Sequence, residues 1–146
     1  MSYTKLWYHI VYATKDRAPL ITDELKPELH RYLGGTVKQL HSVALEVGGV
    51  ADHVHILARA QPVSALSEFV KKLKTSSSSW AKKTSRNFAW QPRFGAFTVS
   101  ESQAGRVRQY IQRQEEHHRR VSFEDEFKTL LKAHRVEFNV EHLWTT

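Results

Sequence analysis

The order of apolar patterns along the chain predicts an α+β fold of the ferredoxin-like, split β-α-β kind: a four-stranded antiparallel sheet with helices on one face. Three observations carry this expectation. Short β-rich runs alternate with helical periodicities in the order β-α-β-β-α-β. The two central runs are separated only by a tight glycine-containing turn. No repeat and no disordered linker divides the 146 residues, so residues 1–146 read as a single domain.

The first run, Leu6 to Ala13, is rich in Trp, Tyr, Ile and Val and reads as a strand buried on both sides. Thr22 is placed to cap a helix in which Leu25, Leu29, Tyr32 and Leu33 recur at helical spacing. Pro27 falls in its early turns. Gly34-Gly35 is costly inside a helix, so either the helix breaks there or something packs closely against it. Val43, Leu45 and Val47 alternate as a strand does; Gly48-Gly49 follows, and Asp52 to Ala58 reads as its antiparallel partner. Ala65, Leu66, Phe69, Val70 and Leu73 mark a second helix whose far side carries Lys71, Lys72 and Lys74. Phe94 to Val99 reads as the last strand, introduced by Trp90-Gln91-Pro92-Arg93. Ser100-Glu101-Ser102-Gln103 resembles a capping box. The helix it opens is expected to reach about Arg120, with Ala104, Val107 and Ile111 as its buried stripe. Phe127, Leu130, Leu131 and His134 suggest one more helix, followed by a mixed tail from Val136 to Trp144. In this plan the second sheet face is open, as in RNA-recognition modules that bind single strands there.

Composition narrows the function. Apolar residues at 40% support a real core. No stretch approaches the roughly 18 apolar residues of a membrane span. The first residues, from Met1 and Ser2 to Trp7, lack a signal-peptide layout, so a cytoplasmic protein is expected. The absence of cysteine excludes disulfides, thiol catalysis and thiolate metal sites. Twenty-two basic side chains against 15 acids give +7, which suits a polyanionic partner such as nucleic acid. Basic clusters interleave with Trp80, Phe88, Trp90 and Phe94, a mixture that suits phosphates and unstacked bases. Lys71, Lys72, Lys74, Arg93, Arg106 and Arg113 are the candidate nucleic-acid contacts.

His53 and His55 are two apart in a strand, so both imidazoles point to one face and can share a metal ion. Asp52 is a further candidate ligand, or a hydrogen-bond partner that orients an imidazole. Spacing alone leaves open that the pair is incidental among 9 histidines. Zinc looks less attractive, because no third His or Cys stands nearby in the sequence; Mg²⁺ or Mn²⁺ suits the pair with oxygen donors. Tyr110 and Gln114 lie four apart on one helix face. Tyr110 reads either as a boundary tyrosine that packs its ring or as a nucleophile needing activation. Glu115 and Glu116 read as a solvated face, and the adjacent His117 and His118 as a poor chelate. Gly105 reads as a hinge or as a packing accommodation.

The pieces together resemble one family. Asp52-His53-Val54-His55-Ile56-Leu57 is similar to the paired-histidine motif of HUH endonucleases. Gly95 to Ser100 resembles the run before their catalytic helix, and Val107 to His118 resembles the tyrosine helix of single-tyrosine transposases of small bacterial insertion sequences. The early segment Trp7 to Lys15 and the Lys-rich second helix are similar too, so the resemblance covers nearly the whole chain. It implies that Tyr110 is the nucleophile, that His53 and His55 are metal ligands, and that Gln114 is a third. It further implies Mg²⁺ or a similar ion, single-stranded DNA with hairpins as substrate, and a homodimer in which the tyrosine helix can act in trans. The branch linked to repeated extragenic palindromes belongs to the same resemblance. The rival expectations are a non-catalytic single-stranded nucleic-acid-binding module of RNA-recognition-like fold and a hydrolase activating water.

Overall fold

The computed structural model describes residues 3–62 and 65–143. Met1, Ser2 and the end of the tail at Trp144 lie outside the described residues. The elements are β1 (Trp7–Ala13), α1 (Leu25–Gln39), β2 (Val43–Val50), β3 (His53–Arg59), α2 (Leu66–Ala81), β4 (Gly95–Val99), α3 (Ala104–Gln112), α4 (Gln114–His117) and α5 (Phe123–Ala133). The strands form one sheet in the order β2-β3-β1-β4, with every neighbouring pair antiparallel. This is the ferredoxin-like arrangement the sequence predicts.

Strand alternation sorts the side chains onto two faces. Ile10 and Tyr12 of β1, with Val54, Ile56 and Ala58 of β3, meet Leu29, Leu33 and Val37 of α1 and Phe69, Val70 and Leu73 of α2 in the main core. Thr22 accepts a hydrogen bond from the Leu25 N–H, 3.2 Å, and so caps α1 as expected. The helix does not break at Gly34-Gly35, and a Cβ at either position would meet nothing within 4 Å. Burial of Leu29, Leu33 and Val37 on one stripe outweighs a propensity cost of about 2 kcal/mol for two glycines.

The second sheet face is not open. α3 packs on it through Ala104 and Ile111 against Trp7 and Leu57. α5 packs on it through Phe123, Phe127 and Leu131 against Val11, Ala13 and Phe97. Two glycines allow this close cover. A Cβ on Gly48 would lie 2.6 Å from the Ile111 carbonyl oxygen, and one on Gly95 would lie 2.5 Å from the Phe127 ring. The expectation of a bare sheet for base stacking is therefore wrong, because the third helical layer has its own apolar stripes to bury.

The region after β4 also differs from one helix running to Arg120. A 3-10 turn over Glu101–Gln103 leads into α3, which ends at Arg113, where φ is −98° and ψ is 18°. α4 then starts at Gln114. Ser100 makes no capping bond; its hydroxyl meets that of Ser102.

Candidate metal and tyrosine site

β3 points His53 and His55 away from the main core, into the seam between α3 and α5. Both are fully buried. The His53 Nδ1–H donates to Asp52 Oδ1 at 2.7 Å. Its Nε2 lies 2.9 Å from Gln114 Oε1 and 3.3 Å from Glu126 Oε1. His55 Nδ1 lies 2.7 Å from His9 Nε2, and its Nε2 lies 3.1 Å from Glu126 Oε1. His118 Nδ1–H donates to the Val121 carbonyl at 2.6 Å, leaving Nε2 2.9 Å from the same Glu126 oxygen. The second oxygen, Oε2, accepts from the Gln114 amide N–H at 2.8 Å and from the Tyr110 hydroxyl.

The structure thus brings together all four site residues that the sequence singled out. The break at Arg113 buries Gln114 at the head of α4. Tyr110 stays half-buried, its ring edge-on to His9 and His55 at 6.0 and 5.7 Å. Two members were not foreseen. His117 and His118 read as a poor chelate as a pair, and His118 alone joins the group: the turn after α4 carries it over the centre, at 4.5 Å ring to ring from His53. Glu126, 2% exposed, arrives on α5 between Phe123 and Phe127. Its signal in the sequence is an acid on an otherwise apolar helical stripe, a placement that demands partners.

His53, His55, His118 and Glu126 each offer a ligand atom, and these atoms lie within 4.8 Å of one another. Each imidazole has its Nδ1 tied outward and its Nε2 turned inward, the orientation that metal-ligating histidines need. Nitrogen lone pairs then face carboxylate and amide oxygens, so the centre is made of acceptors and calls for a cation or for protons. It is compatible with a divalent metal.

Protons respond to the same geometry. Burial would lower the His53 pKa, but hydrogen bonds to Asp52 and Glu126 more than offset it and raise it to about 9. Burial lowers that of His55 to about 4, with Glu126 opposing. Burial would also raise Glu126, yet hydrogen bonds from His118, His53 and His55 hold its carboxyl well below the usual range. For Tyr110, burial first and then the Glu126 charge push the phenol well above its ordinary value.

The DNA-contact candidates separate. Arg106 and Arg113 line a hollow beside Tyr110 together with Gln109, His117 and Arg120. Lys71, Lys72 and Lys74 ride on α2, which packs on the opposite face of the sheet. The Lys74 ammonium is occupied by the carbonyls of Gln91 and Arg93 and sits over the Tyr12 ring. Arg93 donates to the His142 carbonyl at 3.1 Å. A Cβ on Gly105 would meet nothing within 4 Å, so packing does not require that glycine.

A ferredoxin-like sheet bearing paired histidines beside a helix-borne tyrosine is the arrangement that the resemblance to transposases implies, and comparison with known proteins shows the family. The chain belongs to the IS200-like transposase family, whose model matches residues 2–114. It is 30% identical over 120 residues to the ISDra2 transposase TnpA of Deinococcus radiodurans, covering 75% of this chain and 84% of that one. A crystal structure of a provisionally assigned transposase from Deinococcus radiodurans superposes with a TM-score of 0.64 at 29% identity, covering 77% of this chain and 93% of that one. A REP-associated tyrosine transposase bound to a REP hairpin shares the fold, with a TM-score of 0.59 at 16% identity over 81% of this chain and 72% of that one. Among the described residues no helix is long and apolar enough to cross a membrane. His118 and Glu126 both lie beyond the matched residues.

Proposed function

We propose that this transposase cuts and rejoins single-stranded DNA at hairpin-marked ends through a covalent 5′-phosphotyrosine link on Tyr110. The observation that carries the reading is the sharing of Glu126: one buried carboxylate takes the Tyr110 hydroxyl on one oxygen and the inward imidazoles on the other. The nucleophile therefore stands directly beside the cation centre of His53, His55 and Gln114. A divalent ion of the Mg²⁺ or Mn²⁺ kind would supply Lewis-acid polarisation of the scissile phosphate.

The chain's own residues do the rest. Arg106, Arg113 and Arg120 surround the hollow outside Tyr110 and offer the charges that hold a phosphate backbone. Glu126 Oε2 accepts the phenol hydrogen bond and so orients the nucleophile. The Tyr110 oxygen then bonds to phosphorus as the bond to the 3′ oxygen breaks, and the phenol proton ends on that oxygen, which leaves as a hydroxyl. The link conserves the phosphodiester's energy, so another 3′ hydroxyl can reverse the step and rejoin. With one tyrosine per site, two strand ends need two copies, and we infer a homodimer. The hairpin held by the REP-associated structural relative supports hairpin DNA as the substrate class.

Incubation with a hairpin-bearing oligonucleotide and Mn²⁺ should yield a denaturant-resistant protein-DNA adduct with wild type and none with Tyr110→Phe. An adduct of undiminished yield in that variant would end the assignment.

A further inference from the structure

We infer that His118 and Glu126 complete the cation site, making it a three-imidazole, one-carboxylate centre that selects a transition-metal dication over Mg²⁺. The inference rests on the reading of this centre as a cation site and goes beyond it to the ligand set and the class of ion. The ligands already discussed, two histidines and an amide, leave the ion's choice open. The third imidazole and the buried carboxylate do not.

Three hydrogen bonds fix the argument. The His118 Nδ1 faces a backbone carbonyl, which only accepts, so that nitrogen carries the proton and Nε2 keeps its lone pair in the neutral ring. His53 is set the same way by Asp52. His55 Nδ1 donates to His9 Nε2 when its own Nε2 is the free one. Three lone pairs thus converge on Glu126 Oε1 at 2.9, 3.1 and 3.3 Å. Those separations are close to what ligand atoms about 2.1 Å from a shared ion have across an octahedral edge. Without a cation the same atoms repel unless protons are added.

The ligand chemistry then decides the ion. Mg²⁺ prefers oxygen, keeps its waters and demands near-ideal octahedral geometry. Three nitrogens in a centre that is 0–2% exposed at His53, His55 and Glu126 meet neither the preference for oxygen nor the retention of waters. Imidazole nitrogen suits the later divalent ions, in rising order from Mn²⁺ through Co²⁺ and beyond. The sequence argument against zinc, the want of a third His, no longer holds once His118 is in place. Both added ligands come from the segment after Gln114, where the family match ends.

Titration calorimetry of the metal-stripped full chain with Mg²⁺, Mn²⁺, Co²⁺ and Zn²⁺, together with visible absorption of the Co²⁺ form, tests this. One ion per chain is expected, with Mg²⁺ at least ~100-fold weaker than Co²⁺. His118→Ala and Glu126→Gln should each weaken Co²⁺ binding by about 10- to 100-fold and shift the Co²⁺ spectrum. Far-ultraviolet dichroism separates lost ligation from lost folding, and His118→Gln gives a second variant of closer volume. Mg²⁺ binding as tight as Co²⁺ overturns the inference. So does Glu126→Gln binding metal as tightly as wild type or more tightly, which would make the carboxylate a competitor for the ion. These readouts need no DNA. Tight Co²⁺ binding without a tyrosine adduct would sink the proposed function alone, and an adduct formed by His118→Ala in Mg²⁺ as well as by wild type in Co²⁺ would sink this inference alone.

Discussion

Gly48→Ala probes how the tyrosine helix is positioned. Gly48 faces His55 across the β2-β3 ladder, and the Ile111 carbonyl of α3 sits over it. An added Cβ would lie 2.6 Å from that oxygen and 2.7 Å from the Ile111 Cγ2 methyl. Ordinary contact begins near 3.4 Å, so α3 must retreat by 3.4 − 2.6 = 0.8 Å, or the strand must bend. The obstacle is backbone, so a rotamer change cannot relieve it. Overpacking of this kind costs about 1–3 kcal/mol. For a chain of this length that lowers the melting temperature by ~3–10 °C. Tyr110 rides one residue before Ile111 and moves with it. A displacement near 1 Å at a reacting atom costs up to about 100-fold in rate. Single-turnover adduct formation with a hairpin oligonucleotide reads the rate, and calorimetry reads the stability. A Gly48→Ala protein that melts with wild type and forms adduct at the wild-type rate would refute the claim that this close approach sets the tyrosine.

Gly35→Ala is the opposite case: with open space around the position, the variant should gain about 0.5–1 kcal/mol in denaturant unfolding, and a loss would show an undescribed constraint in α1. His30, whose Nε2 is buried without a partner, is held down at about 4 by burial first and by Lys26 second. The folded state therefore refuses a proton that the unfolded chain accepts near 6.5, so the linked stability is whole above that pH and falls away toward 4. His30→Leu should flatten this part of the stability profile between pH 7 and 5, and parallel profiles for variant and wild type would contradict it. Arg106→Ala, Arg113→Ala and Arg120→Ala should each weaken single-stranded DNA binding evenly across sequences and reduce the salt slope by roughly 0.7, while Lys71→Ala should change little. A larger effect at Lys71 would move the DNA track to the α2 face.

Strand and helix patterns carried most of the fold into the sequence. Alternation of Val54 and Ile56 with His53 and His55 revealed both faces of β3, and the spacing of Tyr110 and Gln114 placed them on one side of one turn. These relations are local, and local geometry is what periodicity encodes. The cover on the second face was not legible, because it depends on where α3 and α5 dock. Glu126 illustrates the limit. Next to Glu124 and Asp125 it looks like part of an acidic first turn, a common dipole-favoured pattern. Only its phase, three residues after Phe123 on the buried side of the helix, sets it apart from its neighbours. His118 was passed over for a related reason. Adjacent residues diverge on a continuous helix, but here the chain turns after His117, and the Val121 carbonyl rotates the His118 ring inward.

Among the described residues the apolar interior is divided in three, and this bears on which parts of the molecule open first. Ile10, Leu33, Ile56 and Phe69 belong to one large cluster, while Ile111 and Phe127 belong to two small ones on the other side of the sheet. The polar seam of histidines, Gln114 and Glu126 runs between those two patches. Lifting α3 or α5 exposes only its own small patch and leaves the large cluster sealed, so each helix can detach at a free energy well below that of global unfolding. Backbone amides of α3 and α5 should then exchange with deuterium earlier than those of β1 and β3. Added Co²⁺, tying His53 and His55 to His118 and Glu126, should slow the two helices together.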